Sequence, residues 1–265
     1  MTSFWRLTSV SLQGKMYYRA GFFISMMTPL GVLGGQILLW LALYGNGSDS
    51  TEFAGYTRSA MFTYTLFSFF ISNLITWSSD RISRDIRSGM IITQCVKPVS
   101  LLSQSMASML GSIIPQGFVN LAVVVVVLLA FPRDFMRPDW HNLPPFLLSL
   151  VLAVLLRMLL THVFALLCFY TTSYLGISWV RDAMVKFFSG AVIPVALFPG
   201  WLKTVSYYLP FPFMLQTPLS ILLERELPMP MVQTFLVQLL WVGFFLLADK
   251  LLYGHIRKNM TIAGG

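Results

Sequence analysis

The chain has 265 residues, 56% of them hydrophobic and only 11% charged, with a mean hydropathy of +0.73. Soluble domains carry about 25% charged residues, so this composition excludes an ordinary soluble fold. The net charge is +8, but the basic residues fall between long apolar runs. That distribution marks topology and excludes a nucleic-acid partner as the reason for the charge.

Residues 1–21 place Phe4, Trp5, Leu7, Val10 and Leu12 among Arg6, Ser9, Ser11 and Gln13, with Lys15 and Arg19 following. Aromatic and basic residues together predict an amphipathic helix lying in the membrane interface; the alternative is a frayed tail. No short apolar core followed by small residues occurs here, so no cleavable signal peptide is expected.

Six apolar segments follow, from about Phe22 to Tyr44, Thr57 to Trp77, Met106 to Phe131, Pro144 to Tyr170, Ala183 to Trp201 and Met231 to Tyr253. Most reach the ~20 apolar residues that a helix needs to cross the hydrocarbon core. Backbone polar groups in lipid must be bonded internally, so these segments are predicted to be helices. The expected fold is all-α: one polytopic transmembrane bundle over residues 1–265, with six spans. With the N-terminus inside, the inside loops hold twelve Lys and Arg and the outside loops five, with Arg157 left within a span. The inverted topology would oppose the positive-inside rule.

Between the first two spans, Gly45 to Gly55 reads as a short outside turn. Ser78 to Pro98 is the most polar inside loop, and Pro132 to Leu143 is a short charged outside loop. The polar block Thr171 to Asp182 is expected to return the chain after the fourth span. The fifth segment is interrupted by Pro194 and Pro199, and Pro210, Pro212 and Pro218 follow. Residues 198–223 are therefore expected to form a re-entrant or surface-lying helical element on the outside. A five-span protein is the alternative, but an odd count would place Arg257 and Lys258 outside.

Several chemistries lack their motifs. There is no G-x-x-x-x-G-K-[ST] phosphate loop, no H-E-x-x-H and no G-x-S-x-G. His141, His162 and His255 are far apart, and Cys95 and Cys168 suggest neither a disulfide framework nor a metal site. Carboxylates are scarce in the spans, whereas a proton-coupled pump usually needs them there as relays. No catalytic residue and no metal ligand is assigned, and any energy for transport is expected to come from another subunit.

Within residues 78–98, Ile82 and Ile86 are four apart and share a helix face, while Arg81, Arg84, Asp85 and Arg87 occupy the other sides. Gly89 stops the helix, and an apolar stretch runs from Met90 to Lys97-Pro98. This reads either as a solvated loop obeying the charge bias or as a helix that docks into a groove of a cytoplasmic partner. The pattern Ile86-Arg87-x-Gly89 with Lys97-Pro98, after two spans and an interfacial helix, resembles the type-2 ATP-binding-cassette exporter permeases. The ending Tyr253-Gly-His-Ile-Arg-Lys-Asn-Met-Thr-Ile-Ala-Gly-Gly265 is similar to the tail of a branch of small six-span permeases encoded as unlike pairs. The resemblance implies that residues 78–98 contain the coupling helix, with Arg81, Arg84, Asp85 and Arg87 as ATPase-docking residues. It implies two ATPase subunits, which bind ATP and Mg, and a second permease subunit that is a non-identical homologue. It also implies a bacterial cytoplasmic membrane, both termini inside, and export of a drug-like, lipid or peptide compound. The chain itself would hold no cofactor.

Arg157 lies about 20 Å along its helix from Pro144, too deep to snorkel easily, and no span carboxylate plainly pairs with it. It either bonds carbonyls and hydroxyls of neighbouring helices or faces a wet path. Thr161 lies on the same face. Gln116 and Asn120 in the third span and Asn73 in the second are further candidates for a translocation path, or for polar contacts between helices. A secondary transporter or channel acting alone would need coupling-ion ligands or a pore motif, and a membrane enzyme would need a His/Asp/Glu cluster near one interface.

Overall fold

A computed structural model describes residues 4–10, 19–45, 55–74, 81–136, 139–171 and 174–259. The fold is all-helical, with no β-strand among the described residues. Residues 4–10 form α1, the described part of the predicted interfacial helix; residues 1–3 and 11–18 lie outside the description. Then come α2 (Arg19–Tyr44), α3 (Arg58–Asn73), α4 (Arg81–Arg87), α5 (Ile91–Cys95) and α6 (Leu101–Ala130). The second half holds α7 (Leu143–Leu166), α8 (Tyr174–Phe188), α9 (Gly200–Tyr207), α10 (Gln216–Leu222) and α11 (Met231–Asn259). The outside turn expected at 45–55 and the end of the second span fall largely outside the described residues, at 46–54 and 75–80.

Local chemistry sets several helix starts. Thr57 accepts from the Ala60 amide at 3.3 Å, and Ser100 accepts from the Ser103 amide at 3.2 Å, so both satisfy amides left open in a first turn. Pro144 and Pro145 occupy the first turn of α7, where a missing N–H costs nothing.

Four described helical stretches are long and apolar enough to cross a membrane: 27–44, 101–130, 140–169 and 231–258. The stretch around α7 is 56% buried, against 17% to 22% for the other three, so α7 is the central post. Leu38, Phe118, Val126, Leu129 and Leu240 stand exposed on α2, α6 and α11. Apolar surfaces of this extent need a lipid or protein covering.

The two ends of α7 carry different attachments. Near its start, Leu143, Phe146 and Leu150 pack with Leu215, Leu219 and Leu222 of the α10 region, with Tyr64 and Phe69 of α3, and with Phe135. Near its finish, Ala165 and Leu166 pack with Ile82 of α4, Ile91 of α5 and Ile256 of α11. The α4–α5 loop and the α10 region therefore sit at opposite ends of the bundle. The loop before α7 is fixed to α3: Arg58 pairs with Asp134 at 2.9 Å, and the Met136 amide donates to Thr63 Oγ1 at 2.8 Å.

The fifth apolar segment folds differently from the expectation. The polar block Thr171 to Asp182 does not return the chain as a loop; α8 begins within it at Tyr174. Helix then stops at Phe188, and residues 189–199 are irregular apart from a short 3₁₀ turn at Val195–Leu197. Gly190, at φ +85°, turns the chain out of the helix, and Pro194 and Pro199 prevent its resumption across the segment. The polar residues are tolerated in α8 because Ser178 and Arg181 are buried against the bundle and Asp182 pairs with α7.

Side chains satisfy the interrupted backbone. Tyr64 donates to the Gly190 carbonyl at 2.7 Å, and both Gln36 Nε2 and Ser68 Oγ donate to the Ala191 carbonyl, at 3.2 and 3.3 Å. The Val195 amide donates to Gln216 Oε1 at 3.3 Å. Non-helical backbone in an apolar bundle is stable only when buried and bonded in this way. A Cβ at Gly190 would lie 2.7 Å from both Gln216 Oε1 and the Tyr64 hydroxyl. Gly190→Ala is therefore expected to cost about 2 kcal/mol, as strain at positive φ together with displaced hydrogen bonds. A thermal unfolding midpoint in detergent unchanged from the wild type would contradict this account of the break.

Residues 198–223, expected as an outside re-entrant element, form α9, a 3₁₀ turn at Pro212–Met214 and α10. From Phe211 to Leu223 nearly every side chain is buried. Gln238 of α11 donates to the Phe213 carbonyl at 2.9 Å and to Ser149 Oγ at 3.1 Å, tying this element to α7 and α11.

Candidate functional site

The predicted docking segment is a braced platform. Ile82 and Ile86 turn one face of α4 onto the ends of α7 and α11, as their four-residue spacing requires. Gly89, at φ +74°, lets the chain turn, and its amide donates to the Ile86 carbonyl at 3.2 Å. After α5, Gln104 of α6 donates through Nε2 to the Gln94 carbonyl at 3.0 Å and the Val99 carbonyl at 2.9 Å. That bond pair closes the loop against the next span.

The four predicted docking residues have different surroundings. Arg84 and Arg87 are exposed on the outer side of α4. Asp85 is partly buried and accepts from Gln94 Nε2 in a short hydrogen bond. Arg81 lies 3.9 Å from Asp85 and directs Nη1 at Ser108 Oγ of α6, 3.4 Å away. Beside the two exposed arginines stand Met90, Ile92 and Val96, the last 80% exposed. The sequence reading did not assign these apolar side chains to the contact surface. Their signal was an apolar stretch lying between basic residues and outside any span.

The five candidate path residues fall into three local groups. Gln116 Nε2 donates to Asn120 Oδ1 at 3.5 Å, both buried in α6. Asn73 Nδ2 donates back to the Phe69 carbonyl at 2.8 Å within α3. On α7, Arg157 Nη2 is 3.1 Å from Asp182 Oδ1, which also accepts from Arg181 Nε at 3.0 Å. The expectation that Arg157 lacks a carboxylate partner is therefore wrong. The partner lies 25 residues away on α8, in a block the sequence reading placed in a loop. Thr161 is fully buried, and its hydroxyl has no hydrogen-bond partner among the described residues.

A second pair joins α7 to α11. His162 Nε2 lies 3.0 Å from Asp249 Oδ1, and the imidazole is completely buried. The spacing of 87 residues hides this pair in the sequence. Among the described residues no three His, Cys, Asp or Glu side chains converge as metal ligands. Arg157 and His162 are thus each paired with a carboxylate on another helix, as ionisable groups in an apolar bundle usually are.

Span-length helices with exposed apolar faces, joined to a braced basic loop at one end, define a multi-pass membrane protein. A family model described as ABC-2 family transporter protein matches residues 30–264, and the chain belongs to that family. It is an ABC transporter permease, a membrane-embedded transport subunit and not an enzyme. Comparison with curated proteins gives no match.

Proposed function

We propose that this permease forms the translocation path of an ATP-driven exporter and docks separate ATPase subunits through the α4–α5 platform. The observation that carries this reading is the two-sided character of α4. One face is fixed by Ile82 to the ends of α7 and α11, while the other presents Arg84 and Arg87 beside an exposed apolar edge. Force applied to such a helix passes directly to the central post and to the last span. A helix-in-groove contact would use Met90, Ile92 and Val96 for burial and the arginines for orientation.

In this reading ATP and Mg belong to the ATPase subunits, and their closure moves α4 with α7 and α11 as a rigid body between two access states. Two permease subunits, non-identical homologues, enclose the path in a bacterial cytoplasmic membrane. Both termini and residues 78–98 are cytoplasmic, residues 1–21 lie in the interface, and residues 198–223 are on the outside. Six spans require that α3 and α8, together with their continuations, cross alongside the four longer helices. Arg157 and Thr161 on α7, Gln116 and Asn120 on α6, and Asn73 on α3 are the polar residues offered to cargo.

The Arg84→Glu/Arg87→Glu variant tests the docking surface. Both positions are exposed and the packed face of α4 is untouched, so the variant is expected to fold in the membrane. Copurification of the ATPase and transport are expected to fall at least tenfold. Retention of both at wild-type levels would remove α4 from the docking surface.

A further inference from the structure

Beneath α1, a small cleft of about 50 Å³ opens between α4, the α5–α6 turn and the cytoplasm-proximal part of α6. Its polar wall includes Arg81, Lys97, Gln104 and Ser105, and its apolar wall includes Leu7 and Met109. Ser105 is only 3% exposed, yet its hydroxyl has no hydrogen-bond partner among the described residues. A buried hydroxyl in that state costs free energy unless something enters to bond it. Arg81 keeps donor capacity: it makes a long 3.4 Å hydrogen bond to Ser108 Oγ and a loose 3.9 Å approach to Asp85, whose carboxylate also accepts from Gln94. Two cations and an open hydroxyl thus face one cleft.

We propose that this cleft binds the phosphate group of an anionic phospholipid headgroup, with Arg81 and Lys97 supplying charge and Ser105 a hydrogen bond. The apolar wall and the position of α1 select a lipid over a free anion. Leu7 lines the cleft, while Trp5 and Val10 stand 64% and 67% exposed on the other side of the same short helix. A helix with outward aromatic and aliphatic side chains rests at the headgroup level, so the cleft mouth opens where headgroups are concentrated. The cleft has room for the phosphate group, and the glycerol would stay at its mouth beside Leu7. The headgroup would then bridge α4 to α6, stiffening the platform at the foot of the bundle. The inference needs only that the chain is membrane-embedded and does not depend on ATPase docking.

The test uses the full chain in detergent without any ATPase. Its thermal unfolding midpoint is titrated with dihexanoyl phosphatidylglycerol, dihexanoyl phosphatidylcholine and inorganic phosphate. Saturable stabilisation by phosphatidylglycerol is expected, with much weaker effects from the other two. Lys97→Gln, an exposed change that leaves folding intact, and Arg81→Gln should each weaken the apparent affinity about fivefold. Ser105→Val, which fills the cleft while keeping both cations, should weaken it further. Equal stabilisation by inorganic phosphate would overturn the lipid assignment. Unchanged phosphatidylglycerol affinity in Lys97→Gln and Ser105→Val would overturn the site itself.

Discussion

Gln216→Leu is expected to destabilise the permease by about 3–5 kcal/mol, more than loss of any single apolar side chain at its surface. Gln216 is buried where α10 meets the interrupted chain after α8. Its Oε1 lies 2.6 Å from the Tyr64 hydroxyl, whose one proton is shared with the Gly190 carbonyl, and accepts from the Val195 amide at 3.3 Å. Its Nε2 donates to the Tyr56 hydroxyl at 3.4 Å and to Ser220 Oγ at 3.3 Å. Leucine has nearly the same bulk, so the cost comes from several buried groups losing a partner at once, each worth about 1–3 kcal/mol with incomplete additivity. Ser220→Ala removes only one of these bonds and should cost less than about 1 kcal/mol. A thermal midpoint for Gln216→Leu within the range of Ser220→Ala would show that Gln216 does not hold the broken segment in place.

Asp182→Leu should cost about 3 kcal/mol, because its carboxylate accepts from two guanidinium groups, and Arg181 is 1% exposed. Asp182 itself is 30% exposed, which keeps the figure at the lower end for a broken buried pair. Asp182→Asn retains an acceptor oxygen and should lose less. Arg157→Leu leaves Asp182 bonded to Arg181 and is expected to fold, so it separates stability from transport. Normal transport in that stable variant would retire Arg157 from the path. A double-mutant cycle between Arg157→Leu and Asp182→Leu is expected to give a coupling of 1 kcal/mol or more. A coupling below about 0.5 kcal/mol would mean that the 3.1 Å contact contributes nothing to holding α7 on α8.

The spans on α2, α6, α7 and α11 were legible because lipid allows only one backbone solution to a long apolar run. The inner face of α4 was legible too, since Ile82 and Ile86 recur at helical spacing. The fate of residues 171–199 was not. A block containing Ser178, Arg181 and Asp182 reads as a loop until its partners are seen, and an apolar run reads as a span until Gly190 with Tyr64 of α3, and Val195 with Gln216 of α10, are seen. The surroundings of the proposed docking residues were only partly legible: the arginines were visible as charges, but nothing local showed that Asp85 turns to Gln94 while Arg81 turns to α6.

The sequence by itself determined the solvent, the helical class and the end of the bundle that carries basic charge. Hydropathy and charge are sums over neighbouring residues, and the bilayer reads them one segment at a time. Only the tertiary structure decided which polar side chains meet. Arg157 finds Asp182 and His162 finds Asp249 across 25 and 87 residues, and Gln216 reaches back to Tyr64 and Tyr56. Such pairings depend on which helix faces which, and in an apolar bundle that is settled by packing around α7, a property of no single segment.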